Sequence, residues 1–105
     1  MRILFDHGTP APLRLALTGH TVSTAYEMGW TELNNGALLK AAATDFDALI
    51  TTDQNLRYQQ NLSEQRLAIL VLPTTSWPQI RAHEAQVVDA VNVLRPGHVI
   101  ELNFS

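Results

Sequence analysis

Two aspartates stand out because each closes an apolar run. Ile3-Leu4-Phe5 stops at Asp6, and Ala48-Leu49-Ile50-Thr51-Thr52 stops at Asp53. Carboxylates brought face to face repel, and a shared proton or a cation relieves the repulsion. With oxygen donors only, and no cysteine in the chain, the fitting cation is a hard one, Mg²⁺ or Mn²⁺. One or two such ions hold and polarise a phosphodiester and lower the pKa of an attacking water. The other use of each aspartate is local, as an acceptor for the N–H groups of the turn that follows it. Thr51 carries a hydroxyl able to orient Asp6 or a metal-bound water, although a β-branched residue also suits a strand for its own sake. The polar run from Asp53 to Asn61 contains Arg57 and Tyr58. Arg57 suits a phosphate and Tyr58 an unpaired base, while covering the sheet edge is the plainer role of both. His7 follows Asp6 directly, so the two side chains diverge on an extended backbone. His20, His83 and His98 show no ligand spacing.

The elements that must position these residues alternate along the chain. Arg2–Phe5 reads as a first strand. Pro10 and Pro12 suit the first turn of a helix carrying Leu13, Ala16 and Leu17 that ends by Gly19. His20–Ala25 reads as a second strand. Asn34 or Asn35 caps a helix through Leu38, Leu39 and Ala42. Ala48–Thr52 is a third strand, and Leu67–Leu72, closed by Pro73, is a fourth buried on both faces. Trp77-Pro78 opens the longest helix, with Ile80, Val87, Val88, Val91 and Leu94 near a 3.6 period, and Pro96-Gly97 ends it. Val99–Phe104 is a last, edge strand. This alternation implies an α/β domain with a mostly parallel sheet. Right-handed crossovers leave few strand orders, the simplest being 2-1-3-4 with the last strand at an edge. The switch point then falls between strands one and three, where ligands bind beyond the carboxyl ends. Asp6 and Asp53 stand at those two ends.

The chain resembles a short bacterial family of PIN-like domains, related to the Mut7-C domain and to VapC-type toxins. The resemblance rests on Ile3-Leu4-Phe5-Asp6 with Thr9-Pro10, Gly19-His20-Thr21-Val22, Asn35-Gly36-Ala37-Leu38-Leu39-Lys40-Ala41-Ala42 and Leu49-Ile50-Thr51-Thr52-Asp53. Thr51-Thr52-Asp53 is similar to the family's Thr-x-Asp motif, and the matches follow one order over nearly the whole chain. The resemblance implies a PIN-like three-layer sandwich and, where the acidic site is intact, Mg²⁺- or Mn²⁺-dependent cleavage of RNA. It also implies a cognate antitoxin protein and a homodimer. Relatives often carry aspartate where this chain has Asn35 and again where it has Asn55. Asparagine offers a metal its carbonyl oxygen without charge, which makes Asn35 a neutral third ligand beside Asp6 and Asp53. Glu27 or Glu32, in the loop before the second helix, would restore a carboxylate, although a solvated surface glutamate is the plainer account of each.

Composition bounds these readings. The chain has 105 residues, 46% hydrophobic and 16% charged, with a net charge of −3, which fits one domain with one sizeable core. The absence of cysteine excludes disulfides, thiolate nucleophiles and iron–sulfur clusters. A single lysine, Lys40, argues against a strongly basic nucleic-acid platform, although a bound cation supplies charge the protein lacks. No apolar run is long enough to span a bilayer, and the expected setting is cytoplasmic. A phosphoacceptor receiver domain shares the strand order, but it needs an acidic pair after strand one, where Asp6 precedes His7, and a lysine after strand five. A Gly-rich phosphate loop is missing after strand one. The remaining rival is a PIN-like domain with a degenerate acidic site that serves as a protein-interaction module. The metal reading carries one stability expectation: Asp6→Asn abolishes cleavage at little cost, because relief of carboxylate repulsion offsets any lost turn contact.

Overall fold

The computed structural model describes residues 1–55 and 66–104. Five strands form one sheet in the order β2-β1-β3-β4-β5: β1 (Arg2–Phe5), β2 (Thr21–Thr24), β3 (Ala48–Thr51), β4 (Ala68–Val71) and β5 (Val99–Glu101). Every neighbouring pair is parallel. Among the described residues the helices are α1 (Asn35–Asp45), α2 (Trp77–Ala82) and α3 (Glu84–Val93), with a 3-10 helix at Ala11–Ala16. The chain is thus an α/β fold with the expected strand order and β5 at an edge.

Alternation along the strands builds two cores. Ile3 and Phe5 of β1, Ala48 and Ile50 of β3, and Ala68 and Leu70 of β4 face one way. There they meet Leu13 and Leu17 around the 3-10 helix, Ile80 of α2, and Val87, Ala90 and Val91 of α3. Leu4, Leu49, Ile69 and Val71 face the other way, against Leu38, Leu39 and Ala42 of α1 and Phe46 just past it. All residues of β3 and β4 are buried, as central strands of a parallel sheet covered on both faces must be. Three layers result. No helix among the described residues is long and apolar enough to cross a membrane.

Several elements differ from the expectation at their ends. The segment after Pro10 is a 3-10 helix because its closing bonds are of the i→i+3 type, Leu13 N–H to Pro10 O at 3.2 Å and Leu17 N–H to Arg14 O at 3.1 Å. The long helix expected from Trp77 is two. His83 breaks it: its Nδ1 lies 2.9 Å from Gln79 O, its N–H turns to Ile80 O at 3.0 Å, and its ring stacks on Phe104 with centroids 4.4 Å apart. Phe104 is therefore not a strand residue, and β5 ends at Glu101. Of the two possible caps, Asn34 serves α1, its Oδ1 accepting from Ala37 N–H at 2.9 Å. Trp30 packs against the second core, edge-on to Phe46 at 6.1 Å.

Candidate functional site

β1 and β3 pair with Phe5 opposite Ile50, so the chain leaving β1 passes directly over the end of β3. Asp6 N–H still donates to Ile50 O at 3.1 Å. The Asp6 side chain is buried, 8% exposed, and four donors surround it. Oδ1 accepts from Gly8 N–H at 3.2 Å and the Thr9 hydroxyl at 2.6 Å. Oδ2 accepts from the Thr51 hydroxyl and from Thr52 N–H at 3.4 Å. A carboxylate has about four lone-pair directions, so the local and cross-strand donors together fill it. Asp6 is a clasp between the ends of two strands.

The filled carboxylate changes the expectation for Asp6→Asn. An amide has one acceptor oxygen, and its NH₂ would face donors. Thr51, whose oxygen also accepts from Asp53 N–H at 3.0 Å, could accept from the amide only by turning its own proton away from Asp6, its described acceptor. The substitution therefore costs stability rather than leaving it unchanged. Thr9 is the one partner with an alternative: its single proton lies within reach of both Asp6 Oδ1 and Ile50 O, the latter at 2.9 Å.

Gly8 is required here by close approach. A Cβ on Gly8 would sit 2.2 Å from Thr52 Oγ1, well inside contact distance. Gly8→Ala is expected to destabilise the domain by roughly 1–3 kcal/mol, the usual cost of overpacking. Removing the obstructing hydroxyl should recover most of that. A double-mutant cycle with Thr52→Ala, read by urea denaturation, is expected to show favourable coupling, and strictly additive effects would contradict the close packing of these two turns.

A cleft of about 860 Å³ opens beside the clasp. Its walls include Asp6, Gly8, Thr9, Arg14, Tyr26, Glu27, Thr75 and Trp77. Both donors to Asp6 Oδ1 line it, and neither donor to Oδ2 does, so Oδ1 is the oxygen on the cleft side. Glu27, weighed above as a replacement carboxylate, shares this wall but is clamped. Arg14 Nη2 lies 2.6 Å from its Oε1 and Nη1 lies 3.3 Å from Oε2, and Thr24 N–H donates to Oε1 at 2.9 Å. The Arg14 guanidinium first, and the Thr24 N–H next, hold Glu27 down from the ordinary 4.5 to about 2. A depressed folded-state value means that its stabilising contribution is complete above pH 4.5 and vanishes as pH falls through about 2. The gap in urea midpoint between the wild type and Glu27→Gln should accordingly close over that window. The gap should be small throughout, since the pair is exposed to solvent; a gap independent of pH would show that the ion pair contributes nothing. Glu32 is exposed.

Asp53 lies just past β3, half-buried. Its Oδ1 accepts from Asn55 N–H at 3.0 Å, the turn-forming use of a strand-end aspartate. It is linked to Asp6 through Thr51, whose hydroxyl accepts from Asp53 N–H and donates to Asp6. Asp53 is not among the residues lining the cleft. Among the described residues, no three His, Cys, Asp or Glu side chains gather closely enough to hold an ion. Asn35 is the first residue of α1; its side chain, like all of Arg57 and Tyr58, lies outside the described residues. His7 is exposed, with Nε2 3.2 Å from Trp30 O.

Sequence reasoning missed Thr9, Gly8, Arg14 and Tyr26 as parts of this site. Thr9 three residues after Asp6 was the available signal, since a hydroxyl at that spacing can return to an aspartate that begins a turn. The contact between Gly8 and Thr52 and the Arg14–Glu27 pair have no local signature, because they join segments that only the fold brings together. Comparison of the chain with protein-family models, with curated proteins and with solved structures returns no match.

Proposed function

We propose that this chain is a PIN-like, Mg²⁺- or Mn²⁺-dependent endoribonuclease that hydrolyses RNA phosphodiesters at the end of the β1–β3 pair. The observation that supports it best is the linkage Asp53–Thr51–Asp6 at the switch point of a parallel sheet, beside an open cleft. Asp6 and Asp53 would hold the cation, with Asn35 as a neutral oxygen. The donor set fits a hard cation: Mg²⁺ is commonly bound by one or two carboxylates, with water and substrate phosphate completing its shell. When bound, the ion polarises the phosphodiester and lowers the pKa of water beside it.

The chain's own residues prepare this site. Thr51 and Thr52 fix Asp6 Oδ2 to β3 and so set the direction of the carboxylate. Thr9 can direct its hydroxyl hydrogen bond wholly to Ile50 O, which frees a lone pair of Oδ1 on the cleft side. Arg57 and Tyr58 would hold phosphate and base. The role as a toxin with a cognate antitoxin, the homodimer and the cytoplasmic setting rest on the resemblance alone.

The experiment is cleavage of single-stranded RNA in Mn²⁺ and in chelator, with Asp53→Ala alongside. Cleavage in Mn²⁺ that both chelator and the substitution abolish is the expected result. One observation favours a second reading: Asp6 already has four protein donors, as a carboxylate with a purely structural task would. A PIN-like interaction module without chemistry would give no cleavage and no Mn²⁺ heat in calorimetry, yet would still bind its protein partner.

A further inference from the structure

The cleft beside the acidic clasp carries an arrangement that metal chemistry does not explain. Tyr26 is 81% exposed, an unusual placement for a large ring, and it lines the same cleft as Asp6 and Trp77. It does not sit on a loose loop. Ala25 before it is fully buried, with its N–H on Phe5 O at 2.9 Å. Glu27 after it is held by Arg14 and by the Thr24 N–H. Gly29 N–H returns to Tyr26 O at 3.1 Å, and Trp30 N–H to Ala25 O at 2.9 Å. The backbone that presents the ring is therefore already ordered, which removes part of the entropic cost of binding. Trp77 is partly buried and rests against the first core, while also facing the cleft.

Charge decides what such a wall takes. Among the described lining residues Arg14 is already paired with Glu27, which leaves the Asp6 carboxylate and the exposed His7 ring as the other ionisable groups. A phosphate approaches the Asp6 end of this lining only with a cation between them. A neutral, planar group with polar edges meets two aromatic side chains together with the hydroxyl-bearing Thr31 and Thr75. The cleft volume is within the range of about 300–1,000 Å³ typical of sites for small organic ligands. We propose that Tyr26 and Trp77 form a stacking subsite for one unpaired nucleobase of the RNA strand whose phosphodiester lies at Asp6. The proposal rests on the endoribonuclease reading and narrows its substrate to a strand with an unstacked nucleotide beside the scissile linkage.

The test is fluorescence anisotropy with a labelled decauridylate, in Ca²⁺ as a hard cation in place of Mn²⁺ and with the strand checked for intact length afterwards, against a strand of the same backbone lacking bases. Tyr26→Ala should weaken decauridylate binding by about ten-fold, within the range of one lost base–aromatic stack, and Tyr26→Phe should keep wild-type affinity. The base-free strand should bind wild type and Tyr26→Ala equally weakly. Circular dichroism of Tyr26→Ala should match wild type, since the ring is exposed. Unchanged affinity in Tyr26→Ala, a loss as large in Tyr26→Phe, or no binding of decauridylate by the wild type overturns the subsite, whatever the cleavage assay gives. Base-dependent binding that follows the ring, in a protein that cuts no RNA in Mn²⁺, supports the subsite and overturns only the nuclease reading.

Discussion

Asp6→Asn is expected to lower the thermal midpoint by roughly 8–30 °C. The loss is about 2–4 kcal/mol if one or two donors are left without an acceptor, and about 4–8 °C accompanies each kcal/mol in a domain of this size. Acceptor count sets the size of the loss. Asp6 takes two hydroxyls and two backbone N–H groups, and an amide offers them a single oxygen. Thr9 can fall back on Ile50 O, whereas the described acceptor of the Thr51 proton is Asp6 Oδ2 itself. Thr52 N–H, like the Thr51 hydroxyl, bonds to Oδ2. Combining Asp6→Asn with Thr51→Val should cost less than the sum of the single changes, because the second removes a hydroxyl that the first strands. A melting curve for Asp6→Asn that overlays wild type would show that the clasp does not hold the strand ends.

Asp53→Asn should separate chemistry from stability. Its side chain is half-buried, and its turn bond, Oδ1 to Asn55 N–H, can also be made by the amide. The stability loss should therefore be smaller than that of Asp6→Asn, which strands donors around a filled carboxylate. Cleavage of single-stranded RNA in Mn²⁺ should nevertheless fall by about 100-fold or more, since half the anionic charge available to the ion is lost. Equal losses in Asp6→Asn and Asp53→Asn on both axes would mean that the two aspartates are only structural. Cleavage unaffected by Asp53→Asn would remove Asp53 from the site.

The contrast between these residues shows what was legible in the sequence. Strand order followed from short apolar runs separated by helical ones, and the two-sided burial of β4 was written in Ala68-Ile69-Leu70-Val71. The positions of Asp6 and Asp53 followed from where those runs stop. The double identity of Asp6 did not. Whether a strand-end carboxylate is a ligand or a clasp depends on donors from Gly8 and Thr9 on one side and Thr51 and Thr52 on the other, more than 40 residues apart. The break at His83 was hidden for a similar reason. Residues 77–94 keep a helical period through it, and only the stacking of His83 on Phe104, together with its Nδ1 contact to Gln79 O, shows why the backbone turns. Glu27 read as a surface glutamate because Arg14, thirteen residues earlier, gave no hint of reaching it.

The proposed chemistry requires that Asp6 and Asp53 share one divalent cation at the switch point. Crystals soaked in Mn²⁺ and measured at the manganese absorption edge test it most directly. One anomalous peak is expected within about 2.0–2.6 Å of a carboxylate oxygen from each aspartate, the span of Mg²⁺ and Ca²⁺ oxygen distances, with the Thr9 hydroxyl turned to Ile50 O. A peak elsewhere, or no peak while Asp6 keeps all four of its donors, would contradict it.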